Sequence, residues 1–542
     1  MEIKNQEYRH FAIIALVSAV VLLSGLSKIE INIMEARNFI SAREMVQNNE
    51  FLLTTLNGQP RYEKPPLPTW LTAFSGSVFG FDSLFALRLP VVLITILLVF
   101  AVYFVSKRMG LSAKHALFNA LISITSFYIF FSGRDNQWDM YTHSFMLVGI
   151  LFLWKAFQDT TDQWPNTLLS GIFLGFSILS KGPVSFYALF LPFLISYGIV
   201  YRIPRQKWIS ILGMLLSGII LGASWYVYVR LKDPVSFQSI ASRETANWAS
   251  YEVKPFYYYW SFFLQSGLWA IPSLISLLYP YLKTRVSNLK AYQFSLIWTL
   301  LALIFLSVIP EKKVRYLVPV LIPLALNTGF YIEYLMRCFN TTLRKCERVM
   351  VYIFSGIIAF VGIAYPVALF FVLKEKYESH LLLCIFSSFA LLFCAGLIIR
   401  GLVKYNFETV FYSMIALFAA AIFALVPLSK EIVFNPDYSP AKNALKYEDQ
   451  FGVKTYSLTA VGPEIVWDFG KPIPVIGKEG EEPLMPSEKK IGLMVDVKDS
   501  ALIEQKFPDY QIKKLYRINV NYKKGLKERL AKDYYLFSKA NQ

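Results

Sequence analysis

Cysteine is scarce in this chain: Cys338, Cys346, Cys384 and Cys394 are the only four in 542 residues. They lie in or beside apolar segments with no paired spacing, which argues against both a disulfide framework and a thiolate metal site. Charge is scarce as well, at 17% of residues, and lopsided, with 54 Lys and Arg against 37 Asp and Glu. No repeat or low-complexity tract is present. The first apolar run has no small-x-small cleavage site before Lys28, so it reads as a retained anchor rather than a removed signal peptide.

What fills the space is hydrocarbon: 55% of residues are hydrophobic, 16% are aromatic, and the mean hydropathy is +0.44. That is too apolar for a soluble protein of this length and predicts an α-helical polytopic membrane protein. Windows of about 20 residues give roughly thirteen candidate spans. They fall near 11–28, 84–106, 113–132, 140–157, 167–180, 183–201, 208–229, 257–281, 291–309, 315–335, 350–373, 380–399 and 408–428. With a cytoplasmic N-terminus the inside connections carry Lys107/Arg108/Lys114, Lys155, Arg202/Arg205/Lys207, Lys283/Arg285/Lys290, Arg337/Arg344/Lys345/Arg348 and Arg400/Lys404. Together with Lys4 and Arg9 these make about eighteen basic residues against about five acidic ones, the asymmetry of the positive-inside rule. The net charge of +17 is therefore a topology signal, and a nucleic-acid partner is excluded because no basic cluster lies on a soluble face.

This topology places outside the loop 29–83, the short loops near 133–139, 181–182, 230–256, 310–315 and 374–379, and the tail. Residues 1–430 read as the transmembrane domain with its first external loop 29–83, and 431–542 as a small α/β domain. In that tail "VKTYSLTAV", "KPIPVIG", "KIGLMVDV" and "QIKKLYRINV" read as strands and "DSALIEQKF" as a helix. In the first loop, Ala36, Phe39, Ile40 and Met45 interleave with Glu35, Arg37, Arg43 and Glu44, which predicts an amphipathic helix from Glu35 to Val46 lying in the membrane interface. "NGQP" then reverses the chain.

"RYEKPPLPTW", residues 61–70, follows. Its prolines lack backbone donors and restrict φ, so the stretch is extended, and Glu63 and Lys64 are held with little freedom to lose. A rigidly presented ammonium at a membrane surface suits a lipid phosphate, whereas a lone interfacial lysine can equally be a snorkelling side chain.

The pair "MEARNFISAREM" and "YEKPPLPTWL" resembles the glycosyltransferase C superfamily, in the bacterial branch that joins protein O-mannosyltransferases to lipid A 4-amino-4-deoxy-L-arabinose transferases. The resemblance covers about residues 10–430. It implies an enzyme of the cell inner membrane that moves a sugar from a polyprenyl-phosphate carrier to a lipid or protein acceptor on the periplasmic face, where the C-terminal domain would lie. It also implies that Lys64 and Arg37 hold the donor phosphate, with Tyr316 of "PEKKVRYLVP" reaching it from a later loop beside Lys312, Lys313 and Arg315. Lys181 of "LSKGPV" resembles a further external lysine. The family's Asp-Glu at the start of the first-loop helix is Met34-Glu35 here, so Glu35 is left as the acid, with Glu30 a weaker candidate. In "SGRDNQWDMYTHSF" the family places an aspartate at Asp139, with Asp135 one turn away; Asp139 can equally cap a helix. Arg134 could pair with either acid, and His143 reads as packed. The resemblance needs no cofactor, but a divalent ion between Glu63 and Glu244 is open, since Glu244 stands where relatives place a histidine. The competing classes are a secondary transporter or flippase of lipid-linked sugars and a non-enzymatic scaffold; the first would put charges mid-span in two symmetric halves, and here they sit at span ends.

Overall fold

The computed structural model describes residues 2–159, 161, 163–477, 482–525 and 527–539. Its contacts divide the chain into two compact units. One comprises the chain up to Ser27, Tyr62–Leu71 and Leu84–Pro427; the other comprises Lys28–Arg61, Thr72–Ser83 and the chain from Leu428 onward. Most of the loop 29–83, grouped with the spans on sequence grounds, therefore belongs with the tail.

Nine helices among the described residues are long and apolar enough to cross a membrane, including Leu84–Arg108, Trp138–Gln158, Arg205–Lys232 and Val314–Cys338 of the first unit. They account for nine of the thirteen candidate segments. The other four take different forms. Segment 113–132 is two helices, Ala113–Thr125 and Phe127–Ser132, broken at an extended Ser126. Segment 167–180 is the helix Gln163–Lys181, and 183–201 is the shorter apolar helix Phe186–Val200 with a π-helical first turn. Segment 257–281 is a chain of short pieces, 3₁₀ turns at Phe256–Tyr259 and Phe262–Trp269 and the α-helix Ala270–Ser276. Gly267 interrupts it with φ of 57°, and a Cβ there would run into the Phe127 ring, so this position needs glycine and cannot continue a helix.

Polar end groups set where the helices stop. Asp139 sits in the first turn of Trp138–Gln158 and Lys155 in its last, each facing the favourable end of the helix dipole. Helices Gln163–Lys181 and Trp208–Lys232 approach closely through small residues: a Cβ on Gly218 would lie 2.5 Å from Leu174 Cδ2, and one on Gly222 2.5 Å from Ile178 Cβ.

The second unit is built on a four-stranded sheet of β3 Thr455–Ser457, β4 Lys490–Asp496, β5 Tyr510–Asn519 and β6 Ala531–Lys539, in the order β3-β4-β6-β5. The first pair is parallel and the others antiparallel. Ile491, Leu493 and Val495 alternate to one face, where Ile503, Phe507 and Phe537 complete a core; Met494 and Tyr534 point to the other, covered by Ile465, Val466 and Phe469. Of the expected strands, "KPIPVIG" contributes only a bridge at Val475, and "AKDYYLFSK" is a strand that periodicity did not single out.

The amphipathic first-loop helix is Ile33–Asn48, but its apolar face is covered by protein. Ile40 joins the tail core, the Phe39 ring lies tilted with its centroid 5.3 Å from that of Trp467, and Arg43 donates to the Val466 and Trp467 carbonyls at 3.3 and 3.4 Å. The expected reversal is the hairpin β1 Thr55–Leu56 and β2 Gln59–Pro60, with Asn57 and Gly58 both at positive φ, 55° and 73°. Asn57 locks to the backbone of Ile473 through two hydrogen bonds of 2.8 and 2.6 Å.

Candidate functional site

The proline-rich stretch is non-helical from Arg61 to Pro66, and its Glu63 and Lys64 meet the helix Pro234–Ser250. That helix is started by Asp233, whose side chain accepts from the Ser236 amide at 3.2 Å, and by Pro234 at its first position. Tyr62 donates its hydroxyl to Asp233 at 3.0 Å. Glu63 pairs with Arg243 at 2.5 Å, and Lys64 with Glu244 at 3.2 Å. Two adjacent charges of opposite sign thus face two adjacent charges in the complementary order. The second oxygen of Glu63 is buried with no hydrogen-bond partner.

Three further segments converge around Asp139. Lys181, at the end of the helix Gln163–Lys181, forms an ion pair with Asp139, and the two side chains are 8% and 2% exposed. Lys181 also stands over the Tyr316 ring, its ammonium 4.8 Å from the centroid. Tyr316 lies on the 3₁₀ turn Val314–Leu317 and donates to Glu311 at 2.9 Å. Lys313 binds the same Glu311 oxygen at 2.6 Å, and its backbone is clamped by Tyr259, which receives from the Lys313 amide at 3.1 Å and donates to its carbonyl at 3.0 Å. The Arg315 guanidinium lies 5.7 Å from the Tyr316 ring, and its Nε is buried without a hydrogen-bond partner. A half-buried guanidinium with a free donor beside a tyrosine hydroxyl and a buried ammonium is chemistry suited to a phosphate.

Several sequence candidates are placed otherwise. Lys312 is 2% exposed and donates to the carbonyls of Lys254 and Ile309 at 3.0 and 2.5 Å; burial lowers its pKa, and it braces the loop. Arg134 pairs with neither acid: it donates to the carbonyls of Val21, at 2.8 Å, and Ser24, tying down the end of the first helix. Asp135 accepts from the Gln137 amide group at 2.7 Å. His143 is packed, as expected, with Nδ1 3.0 Å from Ser185 Oγ. Glu35 and Arg37 fall in the second unit. Asn32 caps their helix, accepting from the amides of Met34 and Glu35 at 2.8 and 3.1 Å; Glu35 is 1% exposed, and Arg37 reaches Met34 Sδ at 3.9 Å. Burial raises the pKa of Glu30, against Lys523 and Lys527.

Glu63 and Glu244 do not fit a divalent ion here, because each carboxylate already holds a cation, and among the described residues no cluster of three metal-ligating side chains exists. All four cysteines are free, and three are buried. Sequence reasoning missed Arg243 and the role of Glu311. A signal existed for both: "RE" at 243–244 complements "EK" at 63–64, and Glu311 is the one acid in an otherwise basic loop.

Residues 63–228 match the family model described as dolichyl-phosphate-mannose-protein mannosyltransferase. Undecaprenyl phosphate-alpha-4-amino-4-deoxy-L-arabinose arabinosyl transferase of Serratia proteamaculans is 24% identical over 324 residues, 58% of this chain and 58% of its own. The enzyme of the same name from Photorhabdus laumondii is 26% identical over 314 residues, 54% of this chain and 53% of its own. The chain thus spans a little over half the length of the curated relatives it matches. A crystal structure of ArnT from Cupriavidus metallidurans bound to undecaprenyl phosphate superposes with a TM-score of 0.68 at 15% identity, covering 97% of both chains. The fold is that of ArnT, the resemblance to the glycosyltransferase C superfamily holds, and the chain is a multi-pass membrane protein.

Proposed function

We propose that this protein is an inverting membrane glycosyltransferase that moves a sugar from a polyprenyl-phosphate carrier to a lipid A-like glycolipid or a protein. The observation that carries this reading is the convergence of Lys181, Arg315 and Tyr316 around Asp139 at the ends of apolar helices. The names of the relatives support undecaprenyl phosphate as the carrier and 4-amino-4-deoxy-L-arabinose as the first sugar to test. The basic connections support a cytoplasmic N-terminus and a periplasmic tail in the inner membrane.

In the transfer the bond between the anomeric carbon and the phosphate oxygen breaks while one to the acceptor hydroxyl oxygen forms. Charge grows on the departing phosphate, where Lys64, Lys181, Arg315 and the Tyr316 hydroxyl neutralise it. The hydroxyl proton passes to a carboxylate on the opposite side of the sugar, which gives inversion in a single displacement. We assign that carboxylate to Asp139, with Asp135 and Glu63 ordering the site. Lys181 keeps Asp139 aimed until the donor phosphate competes for the ammonium. The donor brings its own leaving group, so no cofactor enters the reaction. Charged groups at helix ends rather than mid-span count against a flippase or transporter.

The test is transfer of radiolabelled sugar from polyprenyl-phosphate donors by membranes holding wild type, Lys64→Ala, Asp139→Asn or Glu35→Gln, with lipid and protein fractions counted separately. Label in one fraction with wild type alone supports the enzyme and names its acceptor class. Well-folded wild type that labels neither fraction across a panel of donors overturns the reading.

A further inference from the structure

At the other end of the helix Trp138–Gln158 is a second charged site that sugar transfer does not use. Asp139 and Lys155 are sixteen residues apart in one helix, which separates the two sites by about 24 Å along its axis. A cavity of about 480 Å³ lies there, lined among others by Glu7, Tyr103, Phe104, Lys107, Arg108 and Lys155.

Its charges are unevenly satisfied. Glu7 takes Lys107 at 3.4 Å, and Arg108 reaches Gln158 Oε1 at 3.2 Å and Asp159 at 3.7 Å. Lys155 is half-buried, and its ammonium makes no ion pair or hydrogen bond among the described residues; it lies 4.8 Å from the Phe152 ring centroid. Tyr103 is 1% exposed, yet its hydroxyl has no hydrogen-bond partner. Buried tyrosine hydroxyls ordinarily have one, so a free donor and an unpaired cation in one cavity mark a place for an acceptor that carries negative charge. The wall beside them is apolar, with Phe104 40% exposed.

We propose that this cavity binds the phosphodiester of an anionic glycerophospholipid, with the Lys155 and Arg108 cations and the Tyr103 hydroxyl on the phosphate oxygens and an acyl chain along Phe104. A monoanionic phosphodiester suits three cations of which Glu7 faces one and Asp159 another, leaving a net charge of +1, and basic pockets between membrane helices bind such headgroups. The lipid joins the ends of the helices Glu2–Leu23, Leu84–Arg108 and Trp138–Gln158. The occupied leaflet is the one opposite the proposed transfer, but the binding itself does not depend on the protein being a transferase.

The experiment is native mass spectrometry of the full chain in detergent with equal amounts of phosphatidylglycerol and phosphatidylcholine of the same acyl chains, followed by thermal unfolding with each lipid. Wild type is expected to retain phosphatidylglycerol in preference and to unfold at higher temperature with it. Lys155→Ala and Arg108→Ala should each reduce the preference roughly fivefold, the factor equivalent to about 1 kcal/mol per basic residue at an anionic surface. Tyr103→Phe, which changes no charge and little volume, should reduce it as well, and it decides the matter if the lysine variant does not fold. Equal retention of the two lipids, or a preference unchanged in all three variants, overturns the site. Stabilisation by millimolar inorganic phosphate equal to that by phosphatidylglycerol overturns the lipid as its source.

Discussion

The two ends of the helix Trp138–Gln158 treat a lysine in opposite ways. At the Asp139 end, Lys181 is withdrawn from solvent, carries a counter-charge and lies against an aromatic face. At the other end, the Lys155 ammonium has, among the described residues, the Phe152 ring but no ion pair or hydrogen bond. Removing an ammonium from water costs several kcal/mol unless a carboxylate and further hydrogen bonds offset it, so the first arrangement is a committed one and the second leaves capacity for a ligand. The difference teaches that the count of basic residues at a helix end says little about function; the pairing of each one does.

Breaking the committed end should have the largest effect. Asp139→Asn or Lys181→Met leaves one buried charge uncompensated, which should cost about 3–5 kcal/mol of stability and abolish the proposed sugar transfer. The double variant should regain much of the stability and none of the activity, a result that thermal unfolding and a transfer assay on the same preparations would show. Tyr316→Phe leaves the Asp139–Lys181 pair whole and removes one donor; transfer should fall by about 10²-fold with stability changed by less than about 1.5 kcal/mol. Equal losses of stability and activity in that variant would make Tyr316 merely structural.

The tail offers the same chemistry outside the membrane. Lys532, 1% exposed, pairs with Asp496 at 2.9 Å, and Thr459 donates to Asp496 at 2.5 Å. Burial pushes the Asp496 carboxyl up, but the hydrogen bonds from Lys532 and Thr459 outweigh it and hold the pKa below its ordinary 3.8. A depressed pKa contributes stability that is present above the unfolded value and lost as the pH falls through the folded one. Protection of the β4–β6 amides against hydrogen exchange, taken relative to the intrinsic rate at each pH, should therefore fall as the pH drops below about 4, and Asp496→Asn should flatten that dependence. The smallest effect is expected at the Lys155 end: Lys114 and Glu408 pair at 2.9 Å but are 46% and 50% exposed, so Lys114→Ala should alter stability by less than about 0.5 kcal/mol.

Much of this was readable in one dimension. Nine helices stand where apolar runs bounded by charge predicted them, and the Asn57-Gly58 turn stands where its left-handed backbone requirement put it. Lys64, Lys181, Asp139 and Tyr316 were recognisable as chemistry at segment ends. The partners were not: Glu63 and Arg243 are 180 residues apart, as are Lys64 and Glu244, and residues so distant meet only when separate helices converge. The helix Ile33–Asn48 shows the same limit, since an amphipathic stripe specifies that something apolar covers it without saying whether that is lipid or, as here, Trp467 and the tail core.

The sequence by itself determined that the chain spans a membrane and that its charges gather at helix ends, because hydrocarbon tolerates neither unpaired backbone groups nor unpaired charge. Only the tertiary structure decided that Asp139 is matched to Lys181 while Lys155 has no ion pair among the described residues, that residues 257–281 are broken at Gly267, and that most of the first loop belongs with the tail. Those outcomes depend on distances of a few ångströms between segments far apart in the chain, and a hydropathy pattern carries no record of them.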